Sequence, residues 1–247
     1  MQKIEIYETQ DQLFRSAAAI FYTLAEKAAQ YHRNIYVGLS GGGTPNKLYP
    51  YLIQQKELLL WEKVEVYFSD ERLVSLENGE SNHYQASQNL LNLVEHPLEQ
   101  RYSPDVTLNA VDASKQYEAL ILDNVPKKNG LPYFDIILLG LGDDGHTASL
   151  FPNQIGDEIF DDLIIPAEAK YQNRPSARIS MTPKLINNAA NVIFLLSGQE
   201  KAQAVYHSLM EGQDWRIWPA SSINGDKNDV FWFMDEAAAK HLEMGSG

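Results

Sequence analysis

Asp135-Ile136-Ile137-Leu138-Leu139-Gly140-Leu141-Gly142-Asp143-Asp144-Gly145-His146 is the stretch that decides the fold. A short run that is apolar throughout suits a strand buried on both faces, the signature of a parallel sheet covered by helices. Ile35–Leu39 has the same character and ends in Ser40-Gly41-Gly42-Gly43-Thr44-Pro45. Further strands are expected at Lys3–Tyr7, Val64–Phe68, Ala177–Met181, Val192–Leu196 and Val230–Met234. Between them, Gln10–Ala29 carries an apolar stripe at helical spacing (Phe14, Ala17, Phe21, Leu24, Ala28), and helices are also expected near Asn82–Leu93, Asp112–Leu122, Gln199–Met210 and Asp235–His241. Alternating strands and helices predict an α/β fold with a mostly parallel sheet and helices on both faces. No repeat, low-complexity tract or Pro/Gly linker divides residues 1–247, so one domain is expected.

Composition narrows the partners. Cysteine is absent, which excludes disulfides, thiolate metal sites and a Cys nucleophile. The 33 acidic residues against 20 Lys plus Arg give a net charge of −13, a poor surface for nucleic acid. A few cations and backbone N–H groups can still build a local anion pocket. The N-terminus lacks the basic segment and apolar stretch of a signal peptide, and no run is long enough to cross a bilayer. A cytoplasmic protein, bound to neither membrane nor nucleic acid, is expected; oligomeric state is left open.

In parallel sheets ligands sit beyond the carboxyl ends of the strands, so three junctions carry the functional reading. Ser40-Gly41-Gly42-Gly43-Thr44-Pro45 offers free N–H groups leading into a helix N-terminus, a ready phosphate site. Thr44 is the expected N-cap and Pro45 the first helical residue, while Pro50 should end or kink that helix. It is neither a Walker loop nor a dinucleotide G-x-G-x-x-G. Asp70-Glu71-Arg72 follows the strand Val64–Phe68; such charges are commonly a solvated loop. If the strands are neighbours, however, Asp70 reaches the glycine loop and Arg72 can grip an oxyanion. Gly142–His146 places an imidazole at the mouth of a buried strand. Asp144, two residues earlier, can fix its tautomer; a lone His is more often structural.

The six histidines (His32, His83, His96, His146, His207, His241) show no metal-ligand spacing, so neither metal nor cofactor is expected. No G-x-S-x-G elbow marks a Ser nucleophile.

Taken together, these segments resemble the 6-phosphogluconolactonase family. Its pattern S-G-G-x-T-P is met at Ser40–Pro45, and D-E-R followed by S-N at Asp70–Arg72 with Ser81-Asn82. G-x-D-G-H-T-A-S-L-F-P is met at Gly142–Pro152, and R-I-(S/T)-(M/L)-T at Arg178–Thr182. Ser197-Gly198 with Lys201-Ala202, Pro219-Ala220-Ser221 and Phe231–Asp235 follow in order; Asp143 departs from the usual small residue or Pro. The resemblance implies a Rossmann-like α/β fold shared with glucosamine-6-phosphate deaminase and hydrolysis of 6-phospho-D-glucono-1,5-lactone in the pentose phosphate pathway. It implies that His146 activates water, and that the glycine loop, Arg72, Arg178 and Lys201 hold the phosphate and sugar. Whether Asp70 or Asp144 partners His146 stays open at this point.

Two rivals are set against it. An amino-sugar phosphate deaminase carries G-H-x-A-F-N-E-P, with a carboxylate five residues after the His; here that position is Phe151. A sugar-phosphate-sensing domain of a regulator needs a helix-turn-helix before it, and the first strand here starts at residue 3.

Overall fold

A computed structural model describes residues 1–31, 34–55, 61–170, 174–210, 212–226 and 228–242. The elements run β1 (Gln2–Tyr7), α1 (Gln10–Tyr31), β2 (Ile35–Leu39), α2 (Gly43–Ile53), β3 (Val64–Phe68), β4 (Asp70–Arg72) and α3 (Asn82–Ala86), the last continued by a π-helical turn, Ser87–Leu91. There follow α4 (Ala110–Asn124), a short hairpin of β5 (Lys127–Lys128) and β6 (Leu131–Pro132), β7 (Ile136–Leu139), β8 (Ile164–Glu168) and β9 (Ala177–Met181). The chain ends with α5 (Pro183–Ile186), β10 (Asn191–Leu196), α6 (Ala202–Leu209), β11 (Asp229–Asp235) and α7 (Glu236–Ala239).

Six strands form one sheet in the order β1-β11-β10-β7-β2-β3, and every pair in it is parallel. Alternation along each strand sends side chains to two separate apolar layers. Ile35, Val37, Leu39, Val64, Val66, Ile136, Leu138, Ile193 and Leu195 pack beneath α1 and α2. Ile137, Leu139, Val192, Phe194, Val230, Trp232 and Met234 pack against α4, α6 and α7 on the other face. The all-apolar runs are therefore inner strands covered twice, as their composition requires.

The order reverses at the centre of the sheet. The chain runs outward from β2 to β3 on one side and from β7 to β10 and β11 on the other. The crevice between β2 and β7 is thus the switch point, open at the carboxyl ends, where parallel α/β sheets place their ligands.

Three expectations are corrected. Ala177–Met181 is a strand, but it pairs antiparallel with β4 and β8 in a separate three-stranded sheet. Gly42, not Thr44, occupies the cap of α2, with no side-chain cap bond. Pro50 does not end α2, which continues to Ile53. Among the described residues no helix is long and apolar enough to cross a membrane.

Candidate active site

The loops after β2, β7 and β10 meet the β4–β9 sheet around a cavity of about 630 Å³. Its lining includes Ser40, Gly41, Gly42, Gly43, Thr44, Asp70, Arg72, His146, Arg178 and Lys201, so the three junctions converge on one space. Asp144 stands just behind, against His146. Sequence reasoning gave no role to Lys47, Asp143, Arg174 or Glu200, which also line it. Lys47 sits one turn into the helix that the glycine loop starts, and Arg174 just ahead of the strand carrying Arg178, so both could have been found by position. His32 of the histidine survey lies outside the described residues.

The glycine loop is shaped by what lies beneath it. A Cβ on Gly41 would meet Asn82 Oδ1 at 1.8 Å, so only glycine lets the loop settle onto Asn82. Asn82 in turn donates through Nδ2 to Asp70, at 2.8 Å to its backbone O and 3.0 Å to Oδ1. The amide that the glycine loop packs against is thus fixed to β4.

The wall formed by β4 and β9 is built from buried charge. Arg72 and Arg178 are direct cross-strand partners, and both are buried, as are Asp70 and Glu71. Asp70 Oδ2 accepts from Ser149 Oγ at 2.7 Å and lies 3.9 Å from the Arg178 guanidinium. Arg72 donates to the backbone O of Glu80 and lies 3.9 Å from its carboxylate, while its buried Nε has no hydrogen-bond partner among the described residues. Glu71 accepts from the backbone N–H groups of Arg72, Asn82 and His83 and from Ser81 Oγ. Burial pushes its carboxyl up to about 7 although those donors pull it down. A run that reads as a solvated loop is a buried strand because each charge has a partner arranged for it.

The opposite wall is backbone and imidazole. His146 Nδ1 lies 2.6 Å from Asp144 Oδ1, and the same oxygen accepts from the His146 backbone N–H at 3.0 Å. The turn closes with Gly142 N–H donating to His146 O at 2.7 Å. A Cβ on Gly142 would stand 2.0 Å from His146 Nδ1 and 2.5 Å from Asp144 Oδ1, so glycine is required for the pair to form. Burial raises the Asp144 carboxyl, but the hydrogen bond and charge of His146 outweigh it and hold the carboxyl below its ordinary value. An ionised Asp144 keeps the Nδ1 proton in place and puts the basic lone pair on Nε2. Phe151 lays its ring against the imidazole, with centroids 5.0 Å apart. The question of the imidazole's partner is thus answered by geometry: Asp144 bonds it, while Asp70 is engaged by Ser149, Asn82 and Arg178.

Lys47, Arg72, Arg174, Arg178 and Lys201 bring cationic groups to a cavity whose lining acids are Asp70, Asp143 and Glu200. The site is locally cationic in a chain of net charge −13. Beside it stand a helix N-terminus and glycine N–H groups, a combination suited to a phosphate.

Comparison with known proteins places the chain in a family. The sequence model for glucosamine-6-phosphate isomerases/6-phosphogluconolactonase matches residues 8–232. A 6-phosphogluconolactonase of Synechocystis sp. is 32% identical over 247 residues, covering 97% of this chain and 98% of the relative. The solved 6-phosphogluconolactonase from Trypanosoma cruzi is 27% identical with a TM-score of 0.86, over 98% of this chain and 97% of that one. A monomeric glucosamine-6-phosphate deaminase, 22% identical, shares the fold with a TM-score of 0.81 over 96% of this chain and 99% of its own.

Proposed function

The chain belongs to the 6-phosphogluconolactonase family within the glucosamine-6-phosphate isomerase superfamily, and from that premise we propose that it hydrolyses 6-phospho-D-glucono-1,5-lactone to 6-phosphogluconate with His146 as general base. The observation that carries the reading is the 2.6 Å bond between His146 Nδ1 and Asp144 in the wall of a cationic cavity. Ring opening needs a water that loses a proton as it attacks the C1 carbonyl, and neutral imidazole is matched to that task near pH 7. Asp144 holds the tautomer in which Nε2 takes the proton and stabilises the imidazolium that forms, which returns that proton to the ring oxygen as the C1–O ring bond of the tetrahedral intermediate breaks.

The phosphate, remote from the reacting carbon, is held by the glycine loop, Arg72, Arg178 and Lys201, with Lys47 and Arg174 adding positive potential. Binding energy spent there positions C1 against the water. The oxyanion of the tetrahedral intermediate is met by backbone N–H groups or an arginine of the lining. Asp70 serves as a positioning residue: it receives Ser149 and Asn82 and faces Arg178, which keeps the guanidinium turned along the cavity wall.

Phe151 favours this chemistry over the amino-sugar isomerisation. The position that would supply a carboxylate there holds an aromatic ring packed on His146. The test is a coupled assay of 6-phosphogluconate release, with spontaneous lactone opening subtracted, beside a glucosamine-6-phosphate deamination assay. Enzyme-dependent release with no ammonia is the expected result; ammonia release, or no acceleration of lactone opening, would overturn the proposal.

A further inference from the structure

β1 is an edge strand, bonded only to β11 among the described strands. Its backbone parity is fixed by one bond: Val230 N–H donates to Met1 O at 2.9 Å, in a register that pairs Gln2 with Val230. In a parallel ladder the N–H and C=O groups of alternate residues point to the same neighbour. Met1, Lys3, Glu5 and Tyr7 therefore turn their backbone toward β11, and Gln2, Ile4 and Ile6 turn theirs outward. These three residues are exposed, Ile4 at 48% and Ile6 at 43%, and Met1 beside them at 73%. Such an edge is a template for another strand.

We propose that the β1 edge pairs antiparallel with β1 of a second copy of this chain, joining two six-stranded sheets into one about a two-fold axis through Ile4. The sequence selects the register. Hydrogen-bonded pairs must form between outward-facing residues, so Gln2, Ile4 and Ile6 face one another in some combination. Setting Gln2 opposite Ile4 puts Lys3 directly against Lys3, and setting Ile4 opposite Ile6 puts Glu5 against Glu5. Like charges directly opposed on a sheet are destabilising.

Setting Ile4 opposite Ile4 removes both conflicts. Lys3 then faces Glu5 of the second copy, twice by symmetry, and Gln2 faces Ile6. This register also forms the most hydrogen-bonded pairs the strand allows: Ile4 with Ile4, and Gln2 with Ile6 at each end. It brings Met1 opposite Tyr7. Lys3 already lies over the Phe231 ring and 2.7 Å from Asp229, so Glu5 of the second copy would complete an acid–base–acid row.

The lateral extension matches as well. Ile4 and Ile6 are in register with Trp232 and Met234, which belong to the buried layer under α6 and α7, so pairing continues that layer across the axis. The charges that line the edge are, in this register, complementary to those of a second copy. An interface of one strand pair is small, and the dimer it makes is concentration-dependent.

Sedimentation of the full chain over a concentration series should show the mass rising toward twice 27.9 kDa. Ile4→Pro removes one outward N–H and leaves the bonds to β11 intact, so it should hold the protein as a monomer with its fold unchanged. Glu5→Lys sets Lys3 against a lysine and should weaken association at least tenfold, giving a second reading should the proline disturb folding. Hydrogen exchange adds a residue-level check: the Gln2, Ile4 and Ile6 amides should gain protection with concentration, while those of Lys3 and Glu5 stay protected throughout. A chain that is monomeric at every concentration, or a dimer that survives both substitutions, would overturn the proposal.

Discussion

The two walls of the cavity are built on opposite principles. The wall of β4 and β9 carries charged side chains with little solvent: Asp70, Arg72 and Arg178 are 5%, 7% and 4% exposed. Each is held by groups from another element. The wall of Gly140–His146 depends on a tight backbone turn, and its imidazole and carboxylate, with side chains 23% and 40% exposed, pair within one loop. A prearranged set of charges suits an anion that is the same in ground and transition states. A partly exposed imidazole suits a group that must take up and release a proton. On the proposed mechanism affinity belongs to one wall and chemistry to the other, a division that breaks if mutations in the two walls have the same kinetic signature.

Gly142→Ala should have the largest effect in this set. Its Cβ falls where His146 Nδ1 and Asp144 Oδ1 meet, and displacing a catalytic group by about 1 Å can cost on the order of 10²-fold. The expected outcome is a fall in kcat of about 10²–10³-fold in a folded protein, read by steady-state kinetics beside circular dichroism. Asp144→Asn removes the negative charge that stabilises the imidazolium and lets an amide NH2 compete for Nδ1, so it should lower kcat by about 10²-fold with little change in KM. In the wild type Asp144 stays ionised through the neutral range, because its carboxyl is held low.

Across the cavity, Arg72→Ala should raise KM by roughly 10-fold to 100-fold, the worth of a charge-assisted bond, and change kcat less. An unchanged KM with a collapsed kcat would move Arg72 to the reacting centre. The smallest expected effect concerns stability. Glu71 keeps its proton to about 7 in the folded protein against an ordinary 4.5, so the unfolded chain releases it first as pH rises. Its stabilising share is complete below 4.5 and is lost between there and about 7, worth up to about 3 kcal/mol. Denaturation curves of wild type and Glu71→Gln should diverge across that window; curves that stay parallel would contradict the assignment.

Much of this was legible in the sequence where one local rule decides. Ile35–Leu39 and Val64–Phe68 form strands at the bounds their apolar runs suggest, and the strand at Asp135–Leu139 starts one residue later. Their neighbouring carboxyl ends bring the glycine loop, Asp70–Arg72 and His146 together. What was not legible depends on distant partners. Asp70–Arg72 becomes a strand only because β9 pairs with it and Ser81, Asn82 and His83 satisfy Glu71. Ile164–Glu168 contains Pro166, which argues against a strand, yet β8 lies at the edge of its sheet, where proline is tolerated. Ala177–Met181 was readable as a strand, but its choice of sheet was not, because period-two alternation carries no partner identity. At α2, Gly42 stands at the cap two residues ahead of Thr44, where the loop packs its glycine backbone closely over Asn82.

The central claim is that His146, aligned by Asp144, draws the proton from the water that opens the lactone. The most direct test follows 6-phosphogluconolactone opening by wild type and His146→Ala at several pH values, with the spontaneous rate subtracted from each. The account predicts that the folded variant loses about 10²–10⁴-fold in kcat and also loses the acid limb of its kcat/KM profile. A folded His146→Ala protein that opens the lactone at nearly the wild-type rate would contradict it.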